Sequence, residues 1–395
     1  MQALLDLCLE TSRSLLQGDD REPAAQKIQR DPALKKRVEA IRERLNSACG
    51  EVYTPKQGTE QKTPTGPLHA VTWNIERGKN FKGLRETLLS DPGLQDADLY
   101  FLTEVDWGMA RSENRNVAAE LGEALNRYAY FAPSYYNLTL GHGSERHLGG
   151  ENTYGLHGKA ILSRFPLENL RAIPMSNTID KLRSKEARLG EKRALVADLR
   201  LGDRGVALAC THLDAFSSPA ARAEQLHRAV LLLRESPRAL IAGDWNTNTL
   251  NTTHGPSILW SVLKQIVATG PQAMIRKHYP GPQRKFDRPL FQMLQNEGFD
   301  FENCNEPEEG TYDLVSNDKD LGQMARDQFP DWIVRWINRQ IEKGGGKISL
   351  KLDWFAGKGL RYLEKKVIPV RPAPNDPKPE RPSDHHPVSL RFEAA

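Results

Sequence analysis

Five short apolar runs in this 395-residue chain end on residues able to hold a metal ion or move a proton. Asn74 follows AVTW, Glu104 follows LYFLT, His212 follows ALACT, Asp244 and Asn246 follow ALIAG, and Asp353 follows ISLKL. A sixth run, HPVSLRF, is entered through Asp384 and His385. Acids, amides and imidazoles gathered on one rim are costly unless something satisfies their charge, because clustered carboxylates repel. A hard divalent cation is the natural partner. Carboxylate and amide oxygens with no thiolate nearby suit Mg2+ or Mn2+ better than zinc. Such an ion bridges to a phosphate oxygen, polarises phosphorus and neutralises charge in the transition state.

That chemistry assigns roles. Asp244 is placed to position or deprotonate an attacking water. Asn246, two residues on, shares its side of an extended chain and orients the nucleophile, while Trp245 points the other way. His385, with an intrinsic pKa near ~6.5, can bind or protonate a phosphate at neutral pH. Asp353 holds its ring and favours the charged form.

The residues converge only if strands deliver them. LHAVTWN, DLYFLTE, KAILSRF, RALVADL, VALACTH, ALIAGDWN, ISLKLDW and HPVSLRF read as strands, and Arg115–Tyr128 and Ala220–Glu235 read as helices between them. The expected fold class is α/β, a four-layer sandwich of two mixed β-sheets flanked by helices. Residues 252–345 form an elaboration between core strands at the active-site end, with helices expected at Ile258–Ala268, Pro289–Gly298 and Gln328–Lys343. Residues 369–382 are Pro-rich and extended. Residues 1–66 read as a helical N-terminal extension and linker ahead of a catalytic domain over 67–395. Asp31 and Pro32 suit an N-cap and first turn, Leu34, Val38, Ile41 and Leu45 recur at helical spacing, and Gly50 suits a C-cap. Thr54–Pro67 reads as a linker. The helices of residues 1–50 could pack on the main domain, cap an edge or dock a partner.

Trp73-Asn74, Thr103-Glu104, Gly243-Asp244-Trp245-Asn246, Leu352-Asp353-Trp354 and Ser383-Asp384-His385 occur in an order that resembles the endonuclease/exonuclease/phosphatase superfamily. The resemblance covers roughly residues 68–392 and is specific through the ordered set, since each motif alone is weak. It implies Asn74 and Glu104 near an essential metal with Asp384 beside it, Asp244 and Asn246 at the nucleophile, and His385 on the phosphate backed by Asp353. Thr211-His212-Leu213 looks like the phosphate-contacting histidine of the deoxyribonuclease and neutral sphingomyelinase branches. Lys192-Arg193 resembles the basic residue those branches aim at phosphate, with Arg193 carried over as the contact. One departure is Lys159, which either adds a phosphate contact or faces solvent.

A net charge of +4 and a pI near 8.7 permit an anionic substrate but fall short of a dedicated nucleic-acid binder. No stretch approaches the ~18–20 apolar residues of a spanning helix. The first residues lack the basic start of a secretory signal, and Cys8, Cys49, Cys210 and Cys304 form no CxxC pair, so a cytoplasmic location is expected. Glu76 reads as an outer-shell group, His142, His147 and His157 as part of a substrate-rim loop, 181–193 as a solvated basic face, and Trp245 and Trp354 as core packing. The expected activity is metal-dependent hydrolysis of a phosphate ester, a diester before a monoester. The substrate class stays open among nucleic acid, lipid headgroup and small phosphate. A non-catalytic interaction protein that keeps the fold is the rival of another class.

Overall fold

Capping and strand pairing shape the computed structural model, which describes residues 1–16, 24–56, 66–141, 143–177, 181–183, 186–202, 204–215, 217–247, 281–284, 286–315, parts of 331–343, 347–371 and 381–394. Three helices open the chain, α1 (Gln2–Leu16), α2 (Ala24–Arg30) and α3 (Pro32–Leu45). The Asp31 carboxylate accepts from the backbone N–H groups of Ala33 and Leu34, and Pro32 fills the first turn, where no N–H is needed. Leu34, Val38, Ile41 and Leu45 form the buried stripe of α3. Its end departs from expectation. Asn46 closes the helix, and Gly50 instead starts β1 (Gly50–Tyr53), which pairs with β4 (Tyr128–Asn137). Strand pairing satisfies the backbone there, so no glycine cap is required.

Two sheets lie face to face. The larger runs in the order β1, β4, β5 (Leu156–Ser163), β3 (Leu99–Trp107), β2 (Leu68–Arg77), β15 (Val388–Ala394), β14 (Leu360–Val367), with β7 (Arg188–Gly190) added on β4. The smaller runs β13 (Asp353–Lys358), β10 (Ala239–Asp244), β9 (Arg204–His212), β8 (Arg193–Leu201), β6 (Leu167–Pro174). Leu68, Phe101, Tyr130, Leu208, Leu240 and Phe355 belong to the core between them, where the Phe101 and Phe355 rings meet edge to face at 6.3 Å. On the outer face of the larger sheet lie α1–α3, α4 (Phe81–Ser90) and α5 (Val117–Leu125); α6 (Pro219–Leu233) and α7 (Arg288–Asn296) cover the smaller. This is the four-layer α/β sandwich with N-terminal helices.

The N-terminal helices are bound tightly to that body. Leu4, Leu5, Cys8, Ile28 and the α3 stripe share one buried cluster with Val71, Tyr100 and Tyr136. The Ser12 and Tyr136 hydroxyls hydrogen-bond at 2.9 Å, and Tyr136 also donates to the Cys8 carbonyl. The apolar side that a docking partner would use therefore faces the sheet.

Strands β6 and β14 carry no simple apolar run. Both are sheet edges, and edge positions keep charged side chains because one flank meets solvent. Strand β4 begins where the helical pattern was expected to end, because Asn126 at φ 51° closes α5 in the left-handed conformation. The run ISLKLDW divides. Lys347–Leu350 forms β12 in a hairpin with β11 (Tyr312–Val315), and Asp353 opens β13. The helix expected at Pro289–Gly298 is α7. That at Ile258–Ala268 lies outside the described residues, as do much of Gln328–Lys343, of Thr54–Pro67 and of 369–382. No described helix is long and apolar enough to cross a membrane. The four cysteines are unbonded.

Two outcomes follow from this packing. Ile41, fully buried on α3, should lose about 2–4 kcal/mol of stability as Ile41→Ala in urea titration, and a loss below ~1 kcal/mol would show the N-terminal helices outside the cooperative unit. His69 on β2 is buried, with Nε2 2.7 Å from Ser389 Oγ and Nδ1 unpartnered among the described residues. Burial, helped by Arg391, lowers its pKa to about 4 from an ordinary 6.5. The unfolded chain therefore takes up this proton first. The folded state is unpenalised above pH ~6.5 and loses up to about 3 kcal/mol as pH falls toward 4. Urea midpoints of His69→Gln should fall less steeply than wild type across that window; equal slopes would exclude His69 as the acid-sensitive group.

Candidate active site

Parallel pairing puts the C-terminal ends of β2 and β3, and of β9 and β10, on shared rims. Asp244 at the end of β10 pairs in register with His212 of β9 on one side and with Asp353 of β13 on the other. Strand β13 is antiparallel, so Asp353 reaches the rim as a strand start, not as the strand end its sequence suggests. Strand β15 is antiparallel to β2, which brings the preceding residues 383–386 to the end of β2. The sandwich thus gathers Asn74, His212, Asp244, Asp353 and His385.

Backbone geometry serves the same end. Gly243 sits at φ 141°, and a Cβ there would overlap the Thr211 carbonyl oxygen. Glu76, Arg77, Glu104 and Asn246 all have positive φ, a strained state for residues other than glycine that concentrates at functional sites. For Asn246 this corrects the expectation of one extended strand face. The strand stops at Asp244, the chain turns left-handed, and the Asn246 N–H donates to Asp244 Oδ1 at 2.8 Å while its amide donates to the Leu213 carbonyl. Trp245 still points away, stacked on Trp354 with ring centroids 6.2 Å apart; both are core residues.

Asp244 Oδ2 accepts from Asn74 Nδ2 at 2.9 Å and lies 3.6 Å from His212 Nε2. Burial and the facing Asp353 raise the Asp244 carboxyl to about 7, against the pull of His385. His385 Nδ1 is 2.7 Å from Asp353 Oδ2. Burial disfavours charge on this ring, but the Asp353 carboxylate, then Asp384 and Asp244, hold its pKa well above the ordinary value. His212 behaves oppositely: burial and the nearby Lys192 keep it uncharged.

A second corner holds carboxylates. Burial, and the charges of Glu76 and Glu104, raise Asp384 to about 6 against His385 and Arg77. Burial would raise Glu104 too, but Arg77, 3.4 Å from its Oε2, and the surrounding imidazoles hold it well below the usual carboxylate range. Asp384, Glu104 and Glu76 lie near enough for the charges of the two glutamates to act on Asp384, while Arg77 and Lys79 pair with Glu104 and Glu76. Carboxylate oxygens are the donor type that Mg2+ or Mn2+ takes. The Asn74 amide donates to Asp244, and its oxygen accepts from the Glu76 N–H and keeps a second lone pair. Asp244, Asp353 and His385 also bring ligand atoms within 4.8 Å of one another. Within that trio only His385 and Asp353 are hydrogen-bonded, while Asp244 is held by Asn74 and the Asn246 N–H.

Arg193 is not where a phosphate contact requires. It is fully buried, and its Nη2 donates to Asn46 Oδ1 at 2.8 Å beneath the N-terminal segment. Successive residues of an extended chain face opposite ways, so its neighbour Lys192 turns toward the site. Burial lowers the Lys192 amine to about 8, while Asp214, Asp244 and Glu104 favour its charge. The phase of alternation that sets these two neighbours apart could not be read without the fold. Lys159 neither contacts the rim nor faces solvent. It is buried and donates to Ser134 Oγ at 2.9 Å.

His157 also leaves the expected rim loop. It lies within β5, with Nδ1 2.7 Å from Asp106 Oδ1, and Arg111 grips the same carboxylate at 2.7 and 3.0 Å. Arg111 and Arg77 both reach Glu145, at 3.2 and 2.6 Å, and this links the buried ion cluster to Glu104. Asp106, Arg111 and Glu145 were missed in the sequence because buried ion networks leave no periodic pattern. His147 lies in a short 3-10 turn, exposed, and His142 lies outside the described residues.

The family model described as Endonuclease/Exonuclease/phosphatase family matches residues 71–385. Among solved structures, the chain is similar to an endonuclease/exonuclease/phosphatase family protein from Leptotrichia buccalis, at 14% identity and a TM-score of 0.47 over 82% of this chain and 99% of that one. It is similar to the human Nocturnin catalytic domain with bound sulfate, at 13% identity and a TM-score of 0.46 over 89% and 99%. D. rerio TDP2 complexed with single strand DNA product gives 13% identity and a TM-score of 0.42 over 83% and 99%. No curated protein matches the chain.

Gly243→Ala should lower stability by about 3 kcal/mol or more, because the backbone of β9 cannot yield to a new methyl group. A melting temperature within a degree of wild type would show that the β9–β10 approach is looser than described.

Proposed function

The chain belongs to the endonuclease/exonuclease/phosphatase family, and from that premise we propose that it is a metal-dependent phosphoesterase that hydrolyses a phosphodiester with water. The observation that carries this reading is the pairing of a buried carboxyl raised to about 7, Asp244, with a cationic imidazole, His385, on one rim. A carboxyl near neutrality is a competent general base, and a charged imidazole beside it is an acid and an anion binder.

In this reading Asp244 takes the proton of the attacking water. The Asn74 amide and the Asn246 N–H each bind one of its oxygens and fix its plane. The Nδ1 of His385 is committed to Asp353, so Nε2 is the atom that presents a proton to the substrate. Neutral His212 can donate one hydrogen bond to a phosphate oxygen, and the Lys192 ammonium adds positive charge on the same side. Glu104, Asp384 and Glu76 would hold a divalent cation, which when bound polarises phosphorus and neutralises phosphate charge. The diester is favoured over the monoester by the His212 motif, which resembles the deoxyribonuclease and sphingomyelinase branches.

The test is turnover of plasmid DNA, bis-p-nitrophenyl phosphate, sphingomyelin and inositol phosphates with Mg2+, with Mn2+ and with EDTA. A diester should turn over with metal and stop with EDTA. Turnover of inositol phosphates alone would make the chain a monoesterase, and inactivity on all four would leave the interaction-protein reading. Asp244→Asn should cut kcat by at least ~10²-fold with an unchanged melting temperature; a full-rate variant removes Asp244 from the mechanism.

A further inference from the structure

Hairpin β11–β12 belongs to the long elaboration between β10 and β13, yet it touches both halves of the Asp353–His385 pair. One residue contacts the backbone on both sides of that pair. Thr311, fully buried just before β11, donates its N–H to the Leu350 carbonyl at 2.7 Å and so joins the start of the hairpin to its end. Its Oγ1 accepts from the N–H groups of Leu352 and Asp353, each at 3.0 Å. Its carbonyl accepts from the His386 N–H at 2.6 Å. One residue therefore holds the backbone on which Asp353 is carried and the backbone immediately after His385.

This matters because the Asp353 side chain has little else to orient it, and its backbone is anchored on the opposite flank only by β10, through the ladder and the Trp245 N–H bond to the Leu352 carbonyl. Its Oδ2 meets His385, and its Oδ1 is buried with no hydrogen-bond partner among the described residues. A carboxylate with one side-chain bond keeps its direction only if its backbone is fixed. The Leu352 and Asp353 N–H groups lie at the start of an edge strand, where no neighbouring strand among the described residues offers carbonyls on that flank. Without the threonine hydroxyl both would be buried donors lacking an acceptor, an arrangement that favours local rearrangement.

Further contacts converge on the same point. Tyr312 and His385 form a backbone bridge, and the Tyr312 ring stands at 60° to the imidazole with centroids 5.0 Å apart. Next along β11, Asp313 Oδ2 lies 3.2 Å from His386 Nε2, and Asp313 Oδ1 accepts from Ser349 Oγ. His386 Nδ1 accepts from the Val370 N–H, so its proton sits on Nε2, toward Asp313. His386 thereby locks the hairpin to the segment that carries His385.

We propose that Thr311 is the positioning residue of the acid–base pair, setting the Asp353–His385 bond by holding both backbones at once. The proposal rests on the reading above for its effect on turnover, but not for the bond itself. Three variants separate hydroxyl from packing: Thr311→Val keeps the shape and removes the acceptor, Thr311→Ser keeps the acceptor, and Thr311→Ala removes the hydroxyl together with the methyl group. The measurements are kcat and KM on bis-p-nitrophenyl phosphate with Mn2+, the circular dichroism spectrum, and the downfield proton resonance of His385 Nδ1–H in histidine-selective 15N-labelled protein. Thr311→Val should lower kcat about 10- to 100-fold with KM within about twofold, and should move or erase the resonance while the circular dichroism spectrum is retained. Thr311→Ser should restore both. Should Thr311→Val fail to fold, Thr311→Ala is measured in its place with the same expectation. A normal resonance and kcat in the folded hydroxyl-less variant, or a loss in Thr311→Ser equal to that in Thr311→Val, overturns the proposal. An inactive wild type sinks the functional reading alone, and the resonance then decides the positioning role.

Discussion

Asp244 and Asp353 face each other across a single rung of the β10–β13 ladder, both buried. Two carboxylates so placed cannot both stay ionised without help, and the surrounding rim is organised around this demand. Asp353 is given an imidazolium, so that Asp244 feels both a negative and a positive neighbour. Asn74 and the Asn246 backbone supply donors to the remaining oxygens of Asp244. The outcome is one carboxyl raised to about 7 beside one charged ring, two ionisation states set apart by environment.

The same electrostatic logic extends outward. Lys192 enters beside Asp244 and Glu104, and its charge helps keep His212 neutral, so His212 is uncharged while the other rim imidazole, His385, is held as a cation. On the other side Arg77 faces Glu104 and Glu145, Arg111 grips Asp106, Glu145 and Glu186, and Asp106 fixes His157. A buried charge is tolerable when paired and hydrogen-bonded, and each member of this chain has its counter-charge. The frame beneath is stiff for ordinary reasons: an apolar layer between the sheets, and a second layer in which the N-terminal helices seal the outer face of the larger sheet.

Much of this was legible in the residues. Strands with apolar runs on both faces announce themselves, and their abrupt polar ends named Asn74, Glu104, His212, Asp244, Asp353 and His385 as a set. Asp31 and the Leu34–Leu45 stripe located α3. Edge strands β6 and β14 stayed hidden because one flank meets solvent and charged residues interrupt the run. Thr311, Arg111 and Glu145 stayed hidden because their partners are distant in the chain, and no local spacing records a long-range hydrogen bond.

The amino-acid sequence by itself determined the α/β class and the residue types available to the rim, because burial and strand periodicity are local properties of composition and order. Tertiary structure decided which way those residues face. It set Lys192 near Asp244 and buried Arg193 against Asn46, turned Asn246 out of the strand, and made Asp353 a strand start opposite Asp244. The physical reason is register: a strand shows opposite faces at successive residues, and only its pairing with neighbours sets which face meets the rim.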